Sequence, residues 1–496
     1  MNFTENNRII KILPFIISIL FLGLLIYVYI KYPFLSIDEG YTRGLLDLSF
    51  MDMVGITAND VHPPLYYLIT MSFVKICNVL NLNIDIIHLM KFPSLIPYLI
   101  ILVFSFTKIR KEYGILSGGL FSLTMIVMSE FFTHFITARM YSWTILFLII
   151  SFFYVKDVLE HNDLKSWLLL SIFSVLGVYT HYFSALSSVI IYLMLFIWIL
   201  VNKQTSLIDN LKKFFISILV GFILYIPWIF PLLNQLKSVH EYFWIKSVTL
   251  DTLVNYFSYC LTISSNQLIH FISLMFILII FILFLKEFIK TKDNNDLYLL
   301  MGISVFIGTI LLGFILSVTY KPILWDRYLL PAIGVFWLCI SIKLGNLKLR
   351  NSMLLLIILL ITLVGAFNVY HEINEIVDIY DNTIKEDNIL LGINNNDSVI
   401  IYDSDNRYVR THTELEKVYK QYGSFSMNNN TTTLNYKSPN VIYEEFSIPD
   451  DLEKFPDKNV YMIKFYLSEK EFPDNIKVEK IGTVQHSNIY KLQFIE

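Results

Sequence analysis

The stretch ILPFIISILFLGLLIYVYI, residues 12–30, carries no charged side chain and is bounded by Arg8 and Lys11 before it and Lys31 after it. As a helix it would rise about 28 Å, close to the roughly 30 Å of a bilayer's hydrocarbon core, and each charge left in that core costs several kcal/mol. No small-residue cleavage site follows, so the segment reads as an anchor and not as a removed signal peptide. The pattern then recurs. Tyr182–Asn202, Phe214–Leu236, Thr252–Leu285, Leu297–Tyr320 and Asn351–Tyr370 are further charge-free stretches, and shorter apolar ones lie around 64–80, 92–107, 114–129, 140–155, 167–180 and 328–342, twelve in all.

Composition agrees with a chain that lives mostly in lipid. Hydrophobic types make up 55% of the 496 residues and charged types 16%, where a soluble domain has about 45–50% and about 25%. Aromatics reach 16%, and Tyr and Trp collect where apolar and wet surfaces meet. The net charge of −3 conceals a division: residues 371–496 hold 13 Lys+Arg against 22 Asp+Glu, a net of −9, and the first 370 residues carry +6. No basic patch suggests nucleic acid. Cys77, Cys260 and Cys339 all sit in or beside apolar runs and the acidic tail has no cysteine, so a disulfide framework for the tail is excluded.

These features predict a polytopic α-helical membrane protein over residues 1–370 and a small soluble α/β domain over 371–496. Lys and Arg collect on the cytoplasmic side. The groups Lys108/Arg110/Lys111, Lys203/Lys212/Lys213, Lys286/Lys290/Lys292 and Lys343/Lys348/Arg350 are separated by even numbers of segments, so they share one side. That side is expected to be the cytoplasm, with the connections near Arg139, near His181, at 237–265, at 320–327 and the tail outside. Arg8 and Lys11 place the N-terminus inside, so the number of crossings should be odd, within 11–13. The 62–107 region, interrupted by Lys75, Lys91, Pro93 and Pro97, is where a short or broken helix would resolve the count. Gly40–Val54, within the first outer loop at 31–63, and Val239–Cys260 mix apolar and charged residues as interfacial helices do. In the tail, Ser398–Tyr402, Asn459–Phe465, Val478–Val484 and Ile489–Ile495 read as strands, Glu414–Tyr422 as a helix and Asn428–Thr433 as a polar loop.

In such a chain the informative side chains are the few ionisable ones gathered just outside the hydrocarbon. Five groups fall on the expected outer face: Asp38-Glu39; Asp60-Val-His62-Pro-Pro; Ala-Arg139-Met-Tyr141-Ser; Thr-His181-Tyr; and Trp-Asp326-Arg327-Tyr. Each alone has a structural explanation. Carboxylates can solvate a loop, an arginine can snorkel at a helix end, a lone histidine can be a hydrogen-bonded interface residue, and Asp326 and Arg327 can pair to anchor a helix end. Together they combine carboxylates, imidazoles and guanidiniums on one face, which suits a general base and an anion site.

The order Asp38-Glu39, Asp60-x-His62-Pro63-Pro64-Leu-Tyr-Tyr, Ala138-Arg139-Met140-Tyr141-Ser142, Thr180-His181-Tyr182 and Arg327-Tyr-Leu-Leu-Pro331 resembles the GT-C superfamily of membrane glycosyltransferases. It is most similar there to relatives of the protein O-mannosyltransferases and the lipid A aminoarabinose transferase, over roughly residues 1–345. The resemblance implies a GT-C fold and transfer of a sugar from a polyprenyl-phosphate donor to a protein, lipid or glycan acceptor outside the membrane. By similarity Asp38 would be the general base and Glu39 would position the acceptor or the base. Asp60 and His62 would line the sugar pocket with Tyr141 nearby, and Arg139 would bind the donor phosphate, with Arg327, beside Asp326, as a second candidate. Lys91 stands where relatives usually carry an arginine. A divalent metal stays open, with Asp60 and His181 as candidate ligands. The sugar, hexose or pentose, is open, as is the acceptor. Two other classes fit the composition: a transporter or flippase of lipid-linked sugars, and an assembly protein whose acidic tail recruits partners.

Overall fold

The computed structural model describes residues 3–201, 206–241, 245–264, 266–393, 398–402, 423–428, 431–436, 441–442, 457–465, 472, 474–484 and 487–494. Its helices, in chain order, are α1 (Phe3–Lys31), α2 (Ile37–Leu45), α3 (Phe50–Ala58), α4 (Leu65–Val79) and α5 (Ile86–Phe104), which continues through a π-turn at Ser105–Ile109 into α6 (Arg110–Tyr113). Then come α7 (Ile115–Val127), α8 (Phe131–His134), α9 (Tyr141–His161), α10 (Leu164–Thr180), α11 (Phe183–Val201), α12 (Leu207–Glu241), α13 (Leu250–Ser258), α14 (Gln267–Thr291), α15 (Asn294–Thr319), α16 (Leu330–Asn346) and α17 (Asn351–Ile393).

Among the described residues nine helical segments are long and apolar enough to cross a bilayer, and α4, α7 and α10 are shorter apolar helices. The chain is a multi-pass membrane protein. The expected broken helix in the 62–107 region corresponds to α4, whose 15 residues rise about 22 Å and fall short of the hydrocarbon thickness. One expected span is corrected. Thr252–Leu285 is not continuous: α13 ends at Ser258 and α14 starts at Gln267, with Asn266 capping it through Leu268 N–H at 2.9 Å. No charge marks this break, so apolar length alone could not reveal it. A capping box between Thr249 and Thr252 starts α13, and such boxes set helix ends without charge.

The chain divides into two compact units. The first comprises Met1–Lys31, Thr57–Ile84 and His88–Asn374. Its helices approach closely where small residues remove a side chain, as membrane helices do: a Cβ on Gly302 of α15 would collide with Cys339 of α16, and one on Gly365 of α17 with Val127 of α7. That last approach lets α17 serve the irregular segment between α7 and α8. Asn368 Nδ2 donates to the carbonyls of Val127 and Leu261, at 3.3 and 2.9 Å, and the Glu372 carboxylate accepts from Thr133 N–H at 2.7 Å. The bonds to Val127 and Thr133 satisfy backbone groups that helix ends would otherwise leave open, and the one to Leu261 holds the turn after α13.

The second unit comprises Tyr32–Ile56, Asp85–Ile87 and Glu375–Glu496. Its strands are β1 (Ser398–Tyr402), β2 (Gly423–Asn428), β3 (Thr431–Tyr436), β4 (Val441–Ile442), β5 (Asn459–Phe465), β6 (Ile476–Val484) and β7 (Ser487–Phe494). A mixed sheet runs β4-β1-β5-β7-β6, with β1 parallel to β4 and β5, and the β6–β7 hairpin antiparallel. Val460, Met462, Ile476 and Leu492 form its core. Asn428–Thr433, expected as a loop, instead belongs largely to the antiparallel β2–β3 pair, where Asn428 faces Thr431; threonine runs favour extended backbone. The expected helix at Glu414–Tyr422 lies outside the described residues.

Candidate active site

In the first unit, residues from four distant stretches meet at one end of the helices. Arg139 and Tyr141 stand where α9 begins, and His181 breaks the chain between α10 and α11 in an extended conformation (φ −156°, ψ 133°). His62 precedes the two prolines that open α4, and Arg327 lies in a 3-10 turn at Asp326–Leu329 that leads into α16. The His62 and His181 rings are 6.0 Å apart between centroids, and His181 is 5.6 Å from Tyr141 and 4.6 Å from Tyr328. The Arg327 guanidinium lies over the Tyr141 ring at 5.5 Å, a cation–π distance.

Arg139 is only 4% exposed, and its Nη1 donates to the Tyr67 hydroxyl of α4 at 3.3 Å. Neighbouring bonds hold the ends of α4, α5 and α9 in register: Tyr66 OH with Ser94 Oγ at 3.0 Å, and Trp143 Nε1 donating to the Pro93 carbonyl at 3.0 Å. Lys91 is buried on α5, two residues before Pro93. The loop before Arg327 is fixed by Ser317 Oγ, which accepts from Ile323 N–H and Leu324 N–H at 3.1 and 2.9 Å. Asp60 is near enough for its charge to act on the Tyr182 hydroxyl.

The electrostatics follow from burial and two cations. Burial first, then Arg139, His181 and Arg327, hold His62 well below the ordinary imidazole range. Burial, then Arg139 and Arg327, push His181 down to about 3. Nδ1 of His181 accepts from Phe183 N–H at 3.2 Å, a bond open only to an unprotonated nitrogen. Both rings are therefore neutral at pH 7. The unfolded chain binds protons on these histidines below about pH 6.5 and the folded chain does not. Stability is thus expected to fall as pH drops from about 6.5 toward 3, by about 1.4 kcal/mol per pH unit per histidine at most. Melting of the detergent-solubilised protein across that window checks this. His181→Gln should flatten the decline, and an unchanged slope would count against buried neutral imidazoles.

Behind this cluster opens a cavity of about 680 Å³. His62, His181 and Tyr328 line one end, and Ser171 and Tyr192 lie deeper. The ten residues from His181 back to Ser171 correspond to about 15 Å along α10. Its walls are apolar: Val175 and Val178 of α10, Ala185 of α11, Phe222 of α12. Two of the lining residues are strongly exposed, Val189 of α11 by 55% and Phe222 of α12 by 57%.

A second cluster adjoins the first and was not expected from motifs. Tyr259 OH donates to the Glu130 carboxylate at 2.7 Å, and His134 Nε2 is 3.6 Å from it. The His134 ring meets the edge of Tyr141 at 4.7 Å. Glu130 follows Ser129, a buried non-glycine residue at φ +54°, a left-handed conformation that costs about 1–2 kcal/mol. The available signal was a carboxylate and an imidazole four residues apart in a stretch with no other charge.

Asp38 and Glu39 open α2 in the second unit. One Glu39 oxygen accepts from Ser36 N–H at 2.9 Å, and Ser36 Oγ accepts in return from Glu39 N–H at 3.4 Å, a capping box that buries the Glu39 side chain completely. Asp38 is half-buried beside it. Among the described residues no group of three or more His, Cys, Asp or Glu is placed to hold a metal ion. Among the described residues, then, no third such side chain joins Asp60 and His181.

Neither a protein-family model nor a curated protein sequence matches the chain. Solved structures do match. The crystal structure of ArnT from Cupriavidus metallidurans in the apo state aligns with a TM-score of 0.56 at 10% identity, covering 96% of this chain and 97% of that one. The chain has the fold of ArnT. The crystal structure of ArnT from the same organism bound to undecaprenyl phosphate aligns equally, with a TM-score of 0.55 at 10% identity over 96% and 97% of the two chains. The GT-C fold expected from residues 1–345 is thus met, and the ArnT likeness extends through the C-terminal residues, where no motif suggested it.

Proposed function

We propose that this chain is an integral membrane glycosyltransferase that moves a sugar from a polyprenyl-phosphate donor to an acceptor hydroxyl at the outer face of the membrane. One observation carries the reading. An apolar cavity ends at the neutral imidazoles of His62 and His181, and the guanidiniums of Arg139 and Arg327 are near enough for their charge to act on both rings; this combination suits an amphiphile with a long hydrocarbon tail and one anionic head. The ArnT structure with undecaprenyl phosphate lends the same donor class to a chain of this fold. The ionisable groups gather at one end of the helices, whereas transporters place theirs near the bilayer midplane.

Direct displacement assigns the roles. Asp38 takes the proton of the acceptor hydroxyl as its oxygen bonds to the anomeric carbon, and Glu39, through the capping box, holds the helix turn that presents Asp38. The bond from that carbon to the phosphate oxygen breaks, leaving its electron pair on the phosphate. Arg139 and Arg327 stabilise that charge, with Lys91 as a further cation, and aimed donors of this kind are worth about 10²–10³ in rate each. Asp60, His62 and Tyr141 shape the sugar pocket. For orientation the reading rests on the basic loops of the sequence, since Lys and Arg collect on the cytoplasmic side: the N-terminus inside and the acidic C-terminal residues outside.

Membranes containing the chain, supplied with radiolabelled polyprenyl-phosphate hexoses and pentoses, should consume one donor and release polyprenyl phosphate as label appears on an acceptor. Faster passage of the lipid-linked sugar across the bilayer with no donor consumed would replace the enzyme by a flippase.

A further inference from the structure

Gln235, near the end of α12, plays no part in the chemistry above. It is 3% exposed, although Leu233 and Leu236 on the same stretch of helix are 50% and 43% exposed. A buried amide among apolar side chains costs free energy unless both its ends are paired, and here both are. Its nitrogen donates to the Thr57 carbonyl at 2.8 Å and, at a longer 3.4 Å, to the Ala58 carbonyl, while the Tyr182 hydroxyl donates to its oxygen. These partners permit one arrangement. Carbonyls only accept, so the nitrogen faces Thr57 and the oxygen faces Tyr182, which must then donate to it and accepts in turn from Trp228 Nε1 at 2.9 Å. Bonds that all run in one direction polarise and strengthen one another.

Both ends of this bridge adjoin the sugar pocket. The Thr57 carbonyl also accepts from Asp60 N–H at 3.2 Å, so the group that holds Gln235 starts the turn carrying Asp60 and His62. On the other side Tyr182 follows His181, whose Nδ1 accepts from Phe183 N–H at 3.2 Å. Anchoring Tyr182 therefore anchors the turn to which the His181 ring is bound. His62, His181, Tyr182 and Gln235 line one cavity, with the two imidazole rings 6.0 Å apart. Resting on the glycosyltransferase reading, we infer that Gln235 is a positioning residue that sets donor specificity: it ties the turn of Asp60 and His62 to the turn of His181 and so fixes the width of the pocket that admits the sugar. The bridge is separable from its surroundings. Tyr320 OH donates to the Leu236 carbonyl at 3.0 Å and holds the end of α12 without it, and Arg139, assigned to the donor phosphate, is held from α4 through Tyr67. Cutting the bridge should loosen the grip on the sugar and leave the grip on the phosphate. A sugar held less firmly sits farther from the line of attack, so the preferred donor loses turnover while sugars of other sizes are admitted.

The test compares native protein with Gln235→Leu and Tyr182→Phe in lipid nanodiscs, measuring kcat/KM for polyprenyl-phosphate hexoses and pentoses, polyprenyl phosphate binding and melting temperature. In Gln235→Leu the ratio of kcat/KM between the best donor and the next should fall about tenfold, within what the fit of a pocket to one small group is worth. Polyprenyl phosphate should still bind within about threefold of native. Tyr182→Phe removes the other half of the same bridge, so it should lower the ratio similarly and add little when combined with Gln235→Leu. A merely structural Gln235 would slow every donor by one factor, so an unmoved ratio in Gln235→Leu at a native melting temperature would overturn the assignment. Loss of polyprenyl phosphate binding in step with the loss of rate would overturn it too, by making Gln235 part of the lipid site. If Gln235→Leu melts well below native, Tyr182→Phe decides, and an unmoved ratio there counts against the bridge equally. If the native chain consumes no donor at all, the transferase reading fails and takes the specificity role with it, a result distinct from an unmoved ratio.

Discussion

Asp38→Asn should lower sugar transfer by about 10²–10⁴-fold, the range a positioned general base supplies, while donor binding stays close to native. Asn is nearly isosteric with Asp and keeps an oxygen in the same place. Asp38 is also not the residue that caps α2, because the capping box is formed by Ser36 and Glu39. The substitution also removes one negative charge from the first turn of α2, a contribution of about 0.3–1 kcal/mol. The fully buried Glu39 differs. Its carboxylate holds Ser36 N–H, so Glu39→Gln weakens a cap whose worth is about 1 kcal/mol and should show as a lowered melting temperature with a smaller loss of rate. The measurement is single-turnover transfer from bound donor, paired with a binding isotherm for that donor. Native turnover by Asp38→Asn would move the base elsewhere, and loss of binding would make Asp38 a ligand of the donor.

How much of this could be read from the chain depends on what kind of signal each feature leaves. A charge inside an apolar chain is conspicuous, so Arg139, His181 and Arg327 stood out, and the rings and guanidiniums around them do meet at one end of the helices. Apolar length likewise marked the spans. It failed at Thr252–Leu285, where α13 gives way to α14 at Asn266, because caps made from Thr and Asn stop and start helices without any charge. It failed more mildly at Asn428–Thr433, where a polar composition concealed the β2–β3 pair.

Glu130 shows the deeper limit. Its neighbours His134 and Tyr259 are 4 and 129 residues away, and the clamp that fixes its turn comes from Glu372, 239 residues beyond Thr133. No local pattern encodes that arrangement, because it depends on α17 passing beside the break after α7, which in turn needs a glycine at 365 where Val127 packs. Composition was similarly silent about the aromatic residues. With 31 tyrosines and 40 phenylalanines in the chain, only their places beside His62-Pro63-Pro64 and Arg327 mark Tyr67 and Tyr328, which touch Arg139 and His181.

Arg139→Gln should weaken polyprenyl phosphate binding by about 10²-fold and, in the same protein, make His62 and His181 easier to protonate. The first effect follows from removing one of two cations that act on the buried imidazoles at the end of the apolar cavity, where water is scarce and a charge-assisted bond to phosphate is strong. The second follows because, after burial, Arg139 is the foremost electrostatic cause of the depression at both imidazoles. With the guanidinium gone their folded-state values rise toward the unfolded one, so less stability should be lost as pH falls below about 6.5. Arg139→Lys separates charge from shape: it keeps the cation without the fork that pairs with phosphate and Tyr67, so it should retain the native acid sensitivity but recover only part of the binding. Titration of polyprenyl phosphate at pH 7.5, together with melting curves from pH 4 to 8 for the three proteins, reads both effects at once. Tight binding by Arg139→Gln would transfer the phosphate role to Arg327 and Lys91, whereas lost binding with native acid sensitivity would mean that Arg139 meets the phosphate from a position its charge does not share with the imidazoles.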